Sequence, residues 1–179
     1  MKKWKKLKSH EVFQNPFYSI YEDEIIRPDG SRGRYYILRK PPGVVVVPFD
    51  GKDVYLVEQY RQTFRRRMWE LPAGKSEGKT FLAGAKKELK EETGMTGKKW
   101  TFLGHFACGP GHTSHLGKMF LAEGLHFGAH NREAGEQDMV VKKFSLPAVD
   151  KMIVQGEIID SWSITSWFLF KQHLLRRNK

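Results

Sequence analysis

The chain contains a single cysteine, Cys108, so neither a disulfide framework nor a cysteine-rich zinc site can be built from it. No apolar run approaches the roughly 18 residues of a membrane helix, and the valine run at 44–47 is strand-sized. The lysine-rich start lacks the apolar stretch that a secretory signal requires, so the expectation is a cytoplasmic protein without a leader. Internal repeats and low-complexity segments are absent. Negative charge is scarce, with 20 Asp+Glu against 31 Lys+Arg for a net charge of +11. The aromatic-interleaved basic signatures of RNA-binding modules are missing, so this excess does not by itself point to nucleic acid.

What remains is an ordinary globular composition, 40% hydrophobic and 28% charged, over 179 residues. That length suits one domain with a small appendage. The basic residues are concentrated at Lys2, Lys3, Lys5, Lys6 and Lys8, at Arg65, Arg66 and Arg67, and at Lys171, Arg176, Arg177 and Lys179. Such a field concentrates anionic ligands of any size, and its terminal runs read first as solvated, solubilising charge.

Residues 17–26 and 32–38 carry aromatic and β-branched side chains around a Pro28-Asp29-Gly30-Ser31 turn, which predicts a hairpin. Pro41-Pro42-Gly43 then divides an N-terminal β subdomain (residues 1–42) from a main domain (43–179). A second hairpin is expected from residues 44–48 and 54–60, its valines buried on both faces. Residues 80–93 read as a helix with Thr80 as N-cap and Gly94 as its stop, its apolar stripe Leu82, Ala85 and Leu89 facing the core. Strands are expected at 100–106, 118–122 and 139–144. Helices follow from Pro147 to Gln155 and, capped by Ser161, to about Leu175. Strands and helices mix without strict alternation, so the fold class is α/β (α+β) with a mixed sheet under helices.

The chemistry is concentrated in Glu88, Glu91 and Glu92. At helical spacing these three share neighbouring surface, where like charges at i, i+4 cost a few tenths of a kcal/mol. A hard divalent cation, Mg²⁺ or Mn²⁺, removes that repulsion. The alternative is an ordinary solvated face in which Lys86, Lys87 and Lys90 pair with the glutamates. The glycine-bearing loop before the helix and the stop at Gly94 favour the first reading.

Residues 70–94 resemble the Nudix box, G-x5-E-x7-R-E-U-x-E-E-x-G-U with U aliphatic. Glu88, Leu89, Glu91, Glu92, Gly94 and Met95 match its second half. Two positions depart. Lys87 stands for the family's arginine and lacks its bidentate fork. The loop after Gly74 is also one residue short, so that Lys79 or Thr80 falls where the first glutamate belongs. Val57-Glu58-Gln59-Tyr60-Arg61 followed by Trp69-Glu70-Leu71-Pro72-Ala73-Gly74 is similar to the branch that hydrolyses ADP-ribose and other nucleoside diphosphate sugars. The resemblance covers roughly residues 11–175 and implies a Nudix-type α/β/α sandwich. It also implies a homodimer in which the N-terminal hairpin packs on the partner and helps shape the substrate pocket.

By this resemblance Glu88 and Glu92 are the main metal ligands, with Glu91 and the backbone carbonyl of Ala73 beside them. Arg61 and Glu70 contact substrate, and Lys40 falls near a family arginine. The general base comes from an acidic loop, residues 128–138. Glu136 is preferred there, eight residues before the landmark aromatic Phe144, with Glu133 and Asp138 as alternatives. His115 stands where relatives carry a glutamate. Cys108, His112 and His115 have a loosely zinc-like spacing without a fourth ligand, which is weak. One or two of Phe17, Tyr18, Tyr21, Tyr35 and Tyr36 are expected to touch a nucleobase, although strand aromatics more often pack. The implied reaction is Mg²⁺-dependent hydrolysis of ADP-ribose to AMP and ribose 5-phosphate, with GDP-mannose next. Action on RNA 5′ ends or nucleoside triphosphates, and a nucleotide-binding module without turnover, are the competing readings.

Overall fold

The valines at 44–47 form the axis of the larger of two units in the computed structural model, which describes residues 3–76, 80–132 and 134–177. They lie in β4 (Gly43–Phe49), every residue of which is buried. Val45 and Val47 face a cluster completed by Leu56, Met119, Leu121, Val149, Met152, Trp167 and Phe170. Val44 and Val46 face the opposite cluster of Ala85, Leu89, Met95, Phe120 and Ala122. A strand buried on both faces needs no polar alternation, and each fully buried valine is worth about 1.5–3 kcal/mol.

Around β4 the sheet runs in the order β10 (Val140–Ser145), β5 (Asp53–Arg61), β4, β9 (Leu116–Phe127), β8 (Met95–Ala107). β4 and β9 are parallel while β4–β5 and β5–β10 are antiparallel, so the sheet is mixed. Two short strands that the sequence reading did not separate, β6 (Arg66–Glu70) and β7 (Ala73–Lys75), add to β5 and β4. α1 (Phe81–Thr93) packs through Ala85 and Leu89 on one face. α2 (Leu146–Val154) and α3 (Ser161–Arg177) cover the other. The result is a three-layer α/β/α arrangement. No described helix is long and apolar enough to cross a membrane.

The ends of α1 follow the sequence signals. Thr80 Oγ1 accepts from the Ala83 N–H at 3.1 Å, and Gly94 adopts φ 72° with its N–H on the Lys90 carbonyl. A Cβ at Gly94 would also lie 2.1 Å from the Gly128 carbonyl oxygen, a backbone atom that cannot swing away. Gly94→Ala is therefore expected to lose about 2 kcal/mol or more by urea denaturation; a loss under about 0.5 kcal/mol would show that the helix end tolerates a side chain. The start of α3 differs from expectation. Asp160, not Ser161, is its cap, with Oδ2 accepting from the Ser163 N–H at 2.8 Å, and Ser161 is already the first helical residue.

The smaller unit combines the chain up to Pro42 with Ala107–Leu116. It is a three-stranded antiparallel sheet of β1 (Lys5–Gln14), β2 (Ser19–Ile26) and β3 (Arg32–Arg39). The hairpin of β2 and β3 was legible, and β1 was not. Its lysines read as a solvated terminal run, and nine of its ten residues are exposed, so no apolar alternation announces it. Within this unit Leu38 N–H donates to the His112 carbonyl at 2.8 Å.

Candidate active site

In the larger unit, the segment from Glu70 to Gly74 is anchored residue by residue. Glu70 pairs with Val57 across β5–β6, Leu71 N–H donates to Ser163 Oγ at 2.8 Å, and the Pro72 carbonyl accepts from Val46 N–H at 2.9 Å. Ala73 and Gly74 then pair with Val45 and Val44. This leaves Glu70, Ala73 and Gly74 little freedom relative to the sheet.

Glu70 is 4% exposed and receives the Arg61 guanidinium as a two-pronged fork, Nε to Oε1 at 2.8 Å and Nη2 to Oε2. Both residues were expected to touch substrate. In the structure Glu70 holds the Arg61 guanidinium in this fork, a geometry that fixes it better than a point charge would. Arg61 also feels the charges of Asp160 and Glu92, which with Glu70 favour its charged form.

On α1, Glu88 and Glu92 turn toward this segment. Glu92 is 1% exposed, and its Oε2 accepts from the Ala73 N–H at 3.2 Å. The Glu88 carboxyl lies 2.4 to 2.5 Å from where a Cβ of residue 74 would stand, so it occupies the space that the glycine leaves open. Burial, then the charges of Glu88 and Glu136, push the Glu92 carboxyl well above the usual carboxylate range, with the Ala73 N–H and Arg61 opposing. Glu91 differs from its neighbours: Lys87 Nζ sits 3.5 Å from its Oε2 in an i, i+4 pair. The solvated-face alternative thus describes Glu91 in part, and it does not describe Glu92.

Among the described residues no three carboxylate, histidine or cysteine side chains converge closely enough to cage an ion. Two carboxylates beside a backbone segment make an open set of hard oxygen donors, which suits a cation that keeps waters and a ligand's phosphate in its shell. A buried carboxylate that feels the like charges of Glu88 and Glu136 also fits a cation beside it. The residues present therefore fit a divalent metal.

Glu136 ends a 3₁₀ turn, Ala134–Glu136, and its charge reaches Glu92. Asp138 is held by Arg67 Nη1 at 2.6 Å, and Glu133 lies outside the described residues. A cavity of 420 Å³ opens beside Arg61 and Glu70, with Phe64, Met68, Asp160 and Trp162 among its walls. No motif marks Phe64, Asp160 or Trp162; they come together only through the turn after β5 and the start of α3.

The remaining candidates belong to the smaller unit. Lys40 is exposed and, with Arg39, Phe17 and Tyr18, lines a cavity of 270 Å³. Tyr21 donates to Glu11 at 2.6 Å beneath the Arg39 guanidinium, Tyr36 donates to Glu22 at 2.6 Å, and Tyr35 donates to the Gly111 carbonyl. Phe17 is 60% exposed. His115 is buried, and burial and the Lys40 charge lower its pKa. The Cys108 N–H closes onto the His115 carbonyl at 3.0 Å, a backbone turn.

Comparison with known proteins agrees with this geometry. The NUDIX domain profile matches residues 39–161, and that of the nucleoside diphosphate sugar hydrolase N-terminal domain matches residues 4–38. The chain is 32% identical over 160 residues to an ADP-ribose pyrophosphatase of Bacillus subtilis, covering 88% of this chain and 86% of that one. It is 27% identical over 162 residues to an ADP-ribose pyrophosphatase of Mycobacterium tuberculosis, covering 88% and 78%. A solved structure described as an ADP compounds hydrolase superposes with a TM-score of 0.88 over 99% of this chain and 97% of that one, at 18% identity, which is a likeness of fold.

Proposed function

The chain belongs to the NUDIX domain family and is a pyrophosphohydrolase, and from that premise we propose that it cleaves nucleoside diphosphate sugars, ADP-ribose foremost, to AMP and ribose 5-phosphate. The observation that carries this reading is Glu92, a carboxylate on α1 that is 1% exposed and accepts from the Ala73 N–H, under the like charges of Glu88 and Glu136. Glu88, Glu92 and the Ala73 carbonyl would hold Mg²⁺, with Glu91 supporting. When bound, the ion supplies the charge neutralisation that lets a nucleophile approach a diphosphate.

The protein's own groups do the rest. Arg61, preset by Glu70, binds a phosphate oxygen. Glu136 accepts a proton from the attacking water as its oxygen bonds to one phosphorus and the bridging P–O bond breaks. The leaving phosphate departs with the nucleotide or the sugar. The setting is the cytoplasm.

A panel of ADP-ribose, GDP-mannose, nucleoside triphosphates and 5′-triphosphate RNA, each with Mg²⁺ and scored for released phosphate products, tests the assignment. Preference for ADP-ribose is expected. Turnover confined to triphosphates or RNA would contradict it, and binding without turnover would favour a sensor.

The same reading includes a homodimer formed through the N-terminal segment, residues 1–42. Trp4, Leu7, Val12 and Phe13 are each 43–55% exposed on or beside β1, apolar side chains that a partner protomer would cover. Sedimentation is expected to give twice the monomer mass, and Val12→Glu is expected to shift it toward monomer. A wild-type monomer at all concentrations would remove the dimer.

A further inference from the structure

The segment that carries Glu136 is held at both ends by arginines that no motif marks. Arg132 donates from Nε to the Glu92 carbonyl at 2.8 Å and from Nη1 to the Met139 carbonyl. One guanidinium thereby joins the last turn of α1 to the residue that leads into β10. Asn131 N–H adds a bond to the Glu91 carbonyl at 3.0 Å. Beyond the turn, Met139 is buried, and its N–H closes back on the Glu136 carbonyl at 3.0 Å.

Arg67 secures the residue between. Its Nη1 donates to Asp138 Oδ2 at 2.6 Å and its Nη2 to the Asp138 carbonyl at 2.9 Å. On the other side Nε donates to Glu58 Oε2 at 2.8 Å and Nη2 to the Glu58 carbonyl at 3.1 Å. Four acceptors on two residues, one of them 71 positions away, are satisfied by one planar fork, which a lysine cannot reproduce. A half-exposed pair of this kind adds little stability. Its specificity is geometric.

We infer that Arg67 and Arg132 are positioning residues for turnover, acting through Glu136 by fixing the turn that carries it against the last turn of α1. This rests on the reading of Glu136 as proton acceptor. A base displaced by about 1 Å can lose up to about a hundredfold in rate without any change in substrate binding.

The test places Arg67→Ala, Arg67→Lys and Arg132→Ala in the wild-type and Glu136→Gln backgrounds, with ADP-ribose and Mg²⁺. Arg67→Ala is expected to lower kcat about tenfold and to leave KM and the half-saturating Mg²⁺ within about twofold. Arg67→Lys should recover part of the loss. In the Glu136→Gln background neither alanine substitution should cost more. Hydrogen exchange of the metal-free variants should show faster exchange at the Met139 amide. A Glu136→Gln enzyme that is slow, yet loses the same further factor on Arg67→Ala, would overturn the clamp alone. So would a rise in KM with kcat unchanged, or unaltered exchange at Met139. A Glu136→Gln enzyme at the wild-type rate would instead remove the base assignment, and the clamp's role in turnover with it.

Discussion

Glu92→Gln is expected to abolish turnover, by about a thousandfold or more, while leaving the metal-free protein at least as stable as the wild type. The two effects share a cause. Glu92 is buried, its charge opposed by desolvation and by Glu88 and Glu136, so without an ion the carboxylate strains the fold. Glutamine keeps the volume and an oxygen for the Ala73 N–H, and it removes the charge that a cation needs.

The pH dependence follows. A carboxyl whose folded pKa is raised favours the protonated fold. The metal-free wild type therefore loses stability as pH climbs from the ordinary carboxylate range through the raised value of Glu92. The glutamine variant lacks that component, and the difference between the two curves isolates it. Thermal melts from pH 4 to 8 with chelator check this. A glutamine variant markedly less stable at neutral pH would mean that the charge is already compensated within the protein.

The second large effect is expected at Arg61. Arg61→Ala strands Glu70, whose side chain is 6% exposed, while the arginine itself is 40% exposed. Breaking a fully buried pair costs about 3–5 kcal/mol, and solvent at Arg61 reduces the expected loss to about 2–3 kcal/mol. KM for the diphosphate should rise at the same time. Glu70→Gln should raise KM with less loss of stability, because the guanidinium stays but loses its second prong. The double variant Arg61→Ala/Glu70→Gln should be more stable than Arg61→Ala, since the stranded charge is gone. Equal stability of the single and double variants in urea titrations would show that Glu70 is not the origin of the loss.

These effects turn on features of unequal legibility. The four valines, the Thr80 cap and the Gly94 stop each carry a local signal, and β4 and α1 stand where that signal puts them. β1 was hidden because an exposed, lysine-rich strand has no apolar alternation. β6 and β7 are too short to show a period, yet they carry Glu70 and Ala73. The cap of α3 was misjudged because Asp160 and Ser161 are both good caps, and only the Ser163 contact separates them.

At the site, residue types were readable and partnerships were not. Arg61 and Glu70 both looked like substrate contacts, and their fork appears only when β5 and β6 pair. Glu91 and Glu92 are adjacent in the chain, but one meets Lys87 and the other is buried against Ala73. Arg67 looked like part of a basic run, and its acceptors lie on β5 and in a loop 71 residues away.

The most direct test of the metal patch is a titration of the metal-free protein with Mn²⁺, read by paramagnetic broadening of backbone amide resonances. One saturable site is expected, with broadening centred on Ala73, Gly74, Glu88 and Glu92, and lost in Glu92→Gln. Saturable binding that leaves those amides sharp, or no saturable binding at all, would contradict it.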